Sequence, residues 1–242
     1  MAGGRWVVLA TVLGTGMAML DMTAVNVALP AIGRQLGATL SGLQWIVSGY
    51  TLALAALILL GGSLGDRLGR RRVFVTGVVW FALASALCGL APTTGILIAA
   101  RVLQGTGGAL LVPGSLAIIQ ASFARPDRPR AIGAWSGLSG VAAAVGPLLG
   151  GWLVVTAGWR WVFLINLPVA AVVAIVALRR VPESGAGRSA RRFDVAGAGL
   201  AAIALAAISY TLISGPAGAG IGTVATAAVT GAGAAVAFVA LE

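Results

Sequence analysis

Long apolar stretches separated by short polar ones form the main pattern along this 242-residue chain. A helix needs about 20 apolar residues to cross the hydrocarbon core of a bilayer, because its backbone groups must be bonded within the segment. Eight stretches meet this requirement: 6–30, 43–64, 73–91, 95–119, 131–156, 160–178, 194–214 and 222–241. They are apolar on most faces, which is typical of helices packed among helices and lipid. The pattern predicts an all-α, polytopic transmembrane helix bundle.

Composition places the chain among membrane proteins and removes several classes of enzyme. Of its residues, 59% are hydrophobic and 9% are charged, whereas charged residues make up roughly 25% of an ordinary soluble domain. The chain has no His and no Lys, which excludes histidine-based catalysis and the lysine of a phosphate-binding loop. Cys88 stands alone, so no disulfide framework or thiolate metal cluster is expected. The apolar stretches contain no nucleophile beside a base, and we therefore expect neither an enzyme nor a metal site.

The arginines are distributed unevenly between the two ends of the predicted helices. All 16 basic residues are Arg, and the net charge is +10. If the N-terminus lies inside, thirteen arginines fall on that side, Arg34 and Arg160 fall on the other, and Arg101 lies within a helix. Cytoplasmic loops carry such an excess, which predicts a multi-pass protein of the cell membrane with a cytoplasmic N-terminus. Topology and attraction to anionic lipid explain the charge without nucleic acid as a partner.

One connection is longer than the others and divides the predicted helices into two groups. Residues 179–193 are rich in Arg, Gly and Ser, a composition typical of a flexible cytoplasmic linker. We therefore divide the chain into a six-helix transmembrane half at 1–178, the linker, and two additional transmembrane helices within 194–242.

Two charged residues are predicted inside the bilayer, where a charge costs at least about 2.5–3.5 kcal/mol. Asp21 lies nine residues before Pro30 in the first helix, and Arg101 lies about six residues into the fourth. At a rise of 1.5 Å per residue these positions are roughly 13 and 9 Å below the outer surface. We hypothesise that Asp21 and Arg101 share a polar interior site lined by Asn26 and Gln104. An entering proton or substrate would change the balance of charge there, as an ion-coupled carrier requires; the alternative is a static ion pair that fixes helix packing.

Two glycine-rich segments add further candidates. Residues 62–72 join the second and third helices and place Asp66 among arginines, where it can form a charge network or accept from a helix N-terminus. Residues 146–151 place Pro147 between glycines in the fifth helix; proline bends a membrane helix, and glycine permits close approach of a neighbour. Each segment also has a simpler interpretation, as a positively charged turn and as a kinked packing face respectively.

Five segments in order carry signatures of one transporter family, at the first, second-to-third, fourth, fifth and sixth helices: 20–30, 62–72, 101–109, 146–151 and 159–168. By these signatures the chain resembles the major facilitator superfamily, and within it the drug:proton antiporters with fourteen transmembrane helices. The second signature reads glycine-x-leucine-x-aspartate-arginine-x-glycine-arginine-basic, and the fifth-helix signature marks efflux members over uptake members. One departure is visible, because Ala142 stands where the family usually has a glycine.

The resemblance, together with the hypothesis above, assigns the candidate residues to four groups. These are proton coupling by Asp21 and Arg101; a substrate pathway with Asn26, Gln104, Trp45 and Tyr50; a cytoplasmic latch of Gly62, Asp66, Arg67, Gly69, Arg70 and Arg71; and an antiporter-motif bend at Gly146, Pro147, Gly150 and Gly151. For Trp45 and Tyr50, anchoring at the membrane interface explains the residues equally well. The proton gradient would supply the energy, with no cofactor.

The function implied is proton-coupled efflux of amphipathic drugs or antibiotics. Export of an endogenous metabolite is an alternative, and so is a non-transporting truncated membrane fragment. Alternating access rocks one repeat against another, and a second six-helix half does not follow in this sequence. We therefore interpret the chain as the N-terminal portion of a longer transporter, with the lipid bilayer, a small amphipathic substrate and the missing C-terminal half as its partners.

Overall fold

The computed structural model describes residues 2–184, 195–215 and 220–241, and within these ranges it contains helices and no strand. In chain order these helices are α1 Ala2–Leu36, α2 Leu40–Leu68, α3 Arg70–Leu90, α4 Thr94–Ser122, α5 Arg128–Thr156, α6 Arg160–Leu164, α7 Asn166–Arg180, α8 Val195–Ser214 and α9 Ile221–Leu241.

Seven segments of the described chain are long and apolar enough to cross a membrane, and α6 and α7 together form one of them, Arg160–Arg180. The apolar part of α8, Gly199–Ser214, is shorter. Over their described residues, all eight predicted stretches coincide with helices, and the predicted all-α transmembrane bundle is confirmed. Several helices extend beyond the predicted spans, because polar residues such as Arg34 and Gln35 continue the helix outside the apolar stretch.

The sixth predicted span, 160–178, falls within one membrane-length segment, Arg160–Arg180. The regular helical bonding breaks at Ile165 in this segment, although the backbone of Ile165 stays helical, with φ −61° and ψ −23°. A turn at Ile165 separates α6 from α7. Pro168 explains the position of this break, because a proline ring clashes with the carbonyl of the residue four positions earlier, here Leu164, and offers it no N–H. The break makes Asn166 the first residue of α7, with its side chain buried in the bundle.

The chain that follows α7 is held against the bundle over its first residues, whereas a flexible linker was expected at 179–193. α7 continues to Arg180, and the Ser184 carbonyl accepts a hydrogen bond of 2.9 Å from the Arg70 backbone N–H. The remainder of the expected linker, 185–193, lies outside the described residues. The division into domains stays a prediction.

Packing within the bundle leaves a buried polar layer between two apolar clusters. α2 and α3 pack mainly on α4, α1 packs on α5, and α8 packs on α2 and on α9. One cluster of buried apolar side chains includes Phe74, and the other includes Leu97. Along α1 the first cluster ends at Ala18 and the second begins at Ala24. The buried side chain of Asp21 lies between these two positions.

Candidate functional site

Asp21 and Arg101 form an ion pair in the interior of the bundle. Arg101 Nη1 lies 2.5 Å from Asp21 Oδ2, and the two side chains are 1% and 0% exposed. Charges removed from water are tolerated only when they are paired and their other polar atoms are hydrogen-bonded. The structure therefore brings together the two charges that the sequence placed at similar depth.

Two side-chain amides complete the bonding of the Asp21 carboxylate. Gln104 Nε2 donates to Asp21 Oδ1 at 2.9 Å, while Gln104 Oε1 accepts from Arg101 Nη1 at 2.6 Å. Asn166 Nδ2 donates to the same Asp21 Oδ1 at 3.0 Å. The carboxylate thus accepts three hydrogen bonds, from side chains on α4 and at the start of α7.

A serine hydroxyl connects these amides to the break between α6 and α7. Ser85 Oγ accepts from Gln104 Nε2 at 3.0 Å and from Asn166 Nδ2 at 2.9 Å. It donates to the Phe163 backbone carbonyl at 3.0 Å. We call Asp21, Ser85, Arg101, Gln104 and Asn166 the Asp21 network; all five side chains are buried.

An aromatic ring and a backbone carbonyl cover the rest of the Arg101 guanidinium. Arg101 Nε donates to the Ile46 carbonyl at 3.2 Å, and its Cζ lies 4.3 Å from the centroid of the Tyr50 ring. A guanidinium over an aromatic face gains cation–π attraction, which is stronger when both groups are desolvated. Tyr50, expected on the substrate pathway, therefore lies beside the Asp21 network, and it is buried.

Sequence reasoning found three of the five members of the network. Asn166 carried a usable signal, because a polar amide two residues before Pro168 in an apolar stretch calls for a buried partner. Ser85 carried none, because serine is common in membrane helices and can bond to its own backbone.

Asn26 and Trp45 lie outside the Asp21 network. Asn26 is exposed and donates to the Met22 carbonyl of its own helix at 3.0 Å. Trp45 is half-buried against α8, where its Nε1 donates to Ser214 Oγ at 3.4 Å and its ring lies 6.2 Å from that of Tyr210. Their roles on a substrate pathway stay predictions.

The segment expected as a turn between the second and third helices is almost entirely helical. α2 ends at Leu68 and α3 begins at Arg70, so Gly69 alone connects them, with φ +105°. A side chain is strained in this conformation. Asp66 Oδ1 lies 2.8 Å from Arg70 Nη2, and Arg70 Nη1 donates to the Ala117 carbonyl of α4 at 3.2 Å.

Gly69 forms a corner between α2 and α3. Glu183, which sequence reasoning did not single out, binds the α3 side of this corner. Its Oε1 accepts from the Arg71 backbone N–H at 3.0 Å, and its Oε2 lies 3.6 Å from Arg71 Nε and 3.7 Å from Arg72 Nε. A Cβ on Gly69 would lie 2.7 Å from Glu183 Oε1, so a side chain at this position would displace the Glu183 carboxylate. Of the remaining latch candidates, Arg67 lies in the last turn of α2, and Gly62 lies earlier in the same helix.

The candidate bend in α5 is a site of close contact with α1. α5 continues without interruption through Pro147. A Cβ on Gly146 would collide with Thr23 Oγ1, and a Cβ on Gly150 would lie 2.9 Å from atoms of Ala24. Gly151 has ordinary space, with Val27 Cγ1 3.7 Å from an added Cβ.

The departure at Ala142 is matched by a glycine on the facing helix. A Cβ added to Gly16 of α1 would lie 3.2 Å from the Ala142 Cβ. At this level the glycine is thus on α1 and the alanine on α5, and the two helices remain in close contact.

A cleft of about 790 Å³ opens at one end of the bundle but does not reach the Asp21 network. It lies among the starts of α1 and α5 and the ends of α4 and α7, and its lining includes Arg5, Phe123, Asp127, Arg130 and Arg180. No member of the Asp21 network lines it.

Comparison with known proteins identifies the fold. A family model described as the Major Facilitator Superfamily matches residues 11–195. The chain belongs to the Major Facilitator Superfamily. This superfamily consists of membrane transporters, so the chain is a membrane-embedded, multi-pass protein of a transporter family and not of an enzyme family.

Curated relatives are named for resistance and export. The chain is 43% identical over 216 residues to the probable actinorhodin transporter of Streptomyces coelicolor, covering 87% of this chain and 37% of that protein. It is 43% identical over 209 residues to the multidrug resistance protein Stp of Mycobacterium tuberculosis, with 86% and 39% covered. It is 40% identical over 218 residues to the tetracenomycin C resistance and export protein of Streptomyces glaucescens, with 90% and 40% covered. The chain thus spans about two fifths of the length of these relatives.

Proposed function

We propose that this chain forms the N-terminal part of a transporter that exports amphipathic drugs or antibiotics in exchange for protons. The observation that carries the proposal is the Asp21–Arg101 pair, buried within the Asp21 network. Ionisable residues inside membrane domains commonly mark ion or proton pathways. The names of the relatives support export of drug-like compounds.

In this proposal Asp21 takes up the proton and Arg101 is its permanent counter-charge. Arg stays charged under all physiological conditions, so protonation of Asp21 leaves an uncompensated positive charge in the bundle. That imbalance favours a rearrangement or the arrival of a substrate, which is the coupling that an antiporter needs. The N-terminus lies in the cytoplasm, and the corner between α2 and α3 serves as the latch against the C-terminal half.

The test is drug efflux from cells that express the complete transporter, with and without a proton uncoupler. Asp21→Asn removes the titratable carboxyl with little change in shape, and we expect uncoupler-sensitive efflux to fall to that of cells without the gene. Asp21→Glu, which keeps a titratable group, should retain part of the coupling. Asp127→Asn is the matched control, because Asp127 is exposed and its side chain does not cap α5. Normal coupling in Asp21→Asn at normal membrane abundance would remove Asp21 from the mechanism.

Export of an endogenous metabolite is the second candidate. Two of the relatives carry natural products in their names, actinorhodin and tetracenomycin C. Deleting the gene distinguishes the candidates: a metabolite exporter leaves its compound inside the producing cells, whereas a drug exporter changes only susceptibility to compounds supplied from outside.

A further inference from the structure

We propose that the orientation of the Asn166 side-chain amide changes with the protonation state of Asp21. The amide donates to the charged carboxylate and turns over to accept from the neutral carboxyl. The inference rests on the proposed function, because it takes Asp21 as the residue that binds the proton.

Among the described residues, protonation of Asp21 creates a donor that has no acceptor in the observed arrangement. The three groups that contact its carboxylate oxygens are Arg101 Nη1, Gln104 Nε2 and Asn166 Nδ2, and all three present N–H donors. A buried O–H without an acceptor is destabilising, because it has lost its hydrogen bonds to water and gained none in the protein. One of these three side chains must therefore change its orientation when the proton binds, so that it offers an acceptor atom to the new O–H.

Asn166 is the neighbour that can change at the lowest cost. Arg101 has no acceptor atom to offer. Gln104 is fixed in one orientation, because its Oε1 accepts from Arg101 Nη1 at 2.6 Å and turning it would bring an NH₂ group against the guanidinium. The Asn166 carbonyl oxygen, by contrast, accepts no hydrogen bond from the described part of the chain.

A turn of the Asn166 amide would also carry the change to the break between α6 and α7. Its oxygen would then occupy the present position of Nδ2, 3.0 Å from Asp21 Oδ1 and 2.9 Å from Ser85 Oγ. There it can accept from both hydroxyls. The Ser85 hydroxyl would leave the Phe163 carbonyl, to which it now donates. Protonation would thus release a backbone carbonyl at the point where Pro168 already interrupts the helix.

The other ionisable groups around Asp21 are few. Arg101 faces it from α4, Tyr50 lies against the guanidinium from α2, and the Cys88 thiol of α3 donates to Gln104 Oε1 at 3.6 Å. The part of α5 that packs on α1 at this level, 146–150, contains no titratable residue. Tyrosine and cysteine side chains are ordinarily uncharged at neutral and acidic pH, so the proton that this proposal concerns binds Asp21.

The test is infrared difference spectroscopy of the purified complete transporter over a pH titration, with isotope-labelled asparagine. We expect the carboxyl band of protonated Asp21 to appear as pH falls, together with a shift of the Asn166 amide band at the same midpoint. Asn166→Leu should abolish that amide shift and raise the frequency of the carboxyl band, because the carboxyl O–H has lost its acceptor.

Gln120→Leu is the control, since Gln120 also carries an amide and is exposed near the end of α4; it should leave both bands unchanged. An Asp21 carboxyl band that titrates while the Asn166 band stays constant, or a carboxyl band unaffected by Asn166→Leu, would overturn the inference alone. If no band is lost in Asp21→Asn, the proposed function fails instead.

Discussion

A carboxylate and a guanidinium persist inside this bundle because each finds partners for its polar atoms. Asp21 accepts from three side chains, and Arg101 donates to Asp21, Gln104 and the Ile46 carbonyl. The Tyr50 ring covers the guanidinium at 4.3 Å. Because the pair is fully desolvated, its two charges depend on each other far more than exposed charges do.

Arg101→Met should therefore destabilise the fold strongly. The change leaves the Asp21 carboxylate buried without its counter-charge, and we expect the free energy of unfolding to fall by about 3–5 kcal/mol. The double variant Asp21→Asn, Arg101→Met should recover part of this loss. Chemical denaturation in detergent measures both. Arg34→Met, at an exposed arginine, is the control, with a change within about 0.5 kcal/mol; equal effects at both arginines would contradict this account of the pair.

At the scale of helices, contact between α1 and α5 depends on small residues at particular positions. A Cβ at Gly150 would lie 2.9 Å from Ala24 Cα, Cβ and O, whereas a Cβ at the adjacent Gly151 has ordinary contacts. Gly150→Ala should lower the free energy of unfolding by about 1–3 kcal/mol through overpacking. Gly151→Ala should leave it unchanged or raise it by up to about 1 kcal/mol, because alanine favours helix. Thermal unfolding of the two variants, measured side by side, tests this prediction. A smaller loss of stability for Gly150→Ala than for Gly151→Ala would show that α1 and α5 are not in close contact at Gly150.

Sequence predicts the helices well because every backbone group in lipid must be hydrogen-bonded within its own segment. This requirement applies to about 20 consecutive residues at once, which makes each span conspicuous. It predicts local features less well. Pro168 was visible, but whether a proline bends or interrupts a helix depends on what can satisfy the freed carbonyls, so the break at Ile165 was missed. Pro147, by comparison, lies within an uninterrupted helix.

The same distinction applies to the candidate site. Asp21 and Arg101 could be predicted because a charge in an apolar stretch is conspicuous, and equal depth suggests a partner. Asn166 carried a weaker signal, as a polar amide in an apolar stretch, and Ser85 carried none. The partner of each depends on the direction that the break between α6 and α7 gives to the chain. Glu183 was unpredictable for a related reason: only the path of the chain after α7 brings it to Arg71.

At the scale of the whole molecule, several arginines that are distant in sequence lie at one end of the bundle. The starts of α1 and α5 and the end of α7 meet around one cleft, with Arg5, Arg130 and Arg180 in its lining. The fold brings these distant residues to the same end of the bundle. The arginine excess that the sequence predicts for one side of the membrane therefore lies on one surface of the structure. Such a surface favours the cytoplasmic side, where positive charge is retained during insertion and anionic lipid attracts it.

This orientation predicts which exposed positions a membrane-impermeant maleimide can reach in intact cells. In a Cys88→Ser background, which removes the buried native thiol, Leu40→Cys should be labelled from outside, because Leu40 is 75% exposed at the start of α2. Ala124→Cys, exposed between α4 and α5 at the arginine-rich end, should react only after the membrane is opened. If Ala124→Cys is labelled in intact cells and Leu40→Cys is not, the orientation is the opposite of the predicted one. Asp21 would then lie nearer the cytoplasmic surface than the outer one.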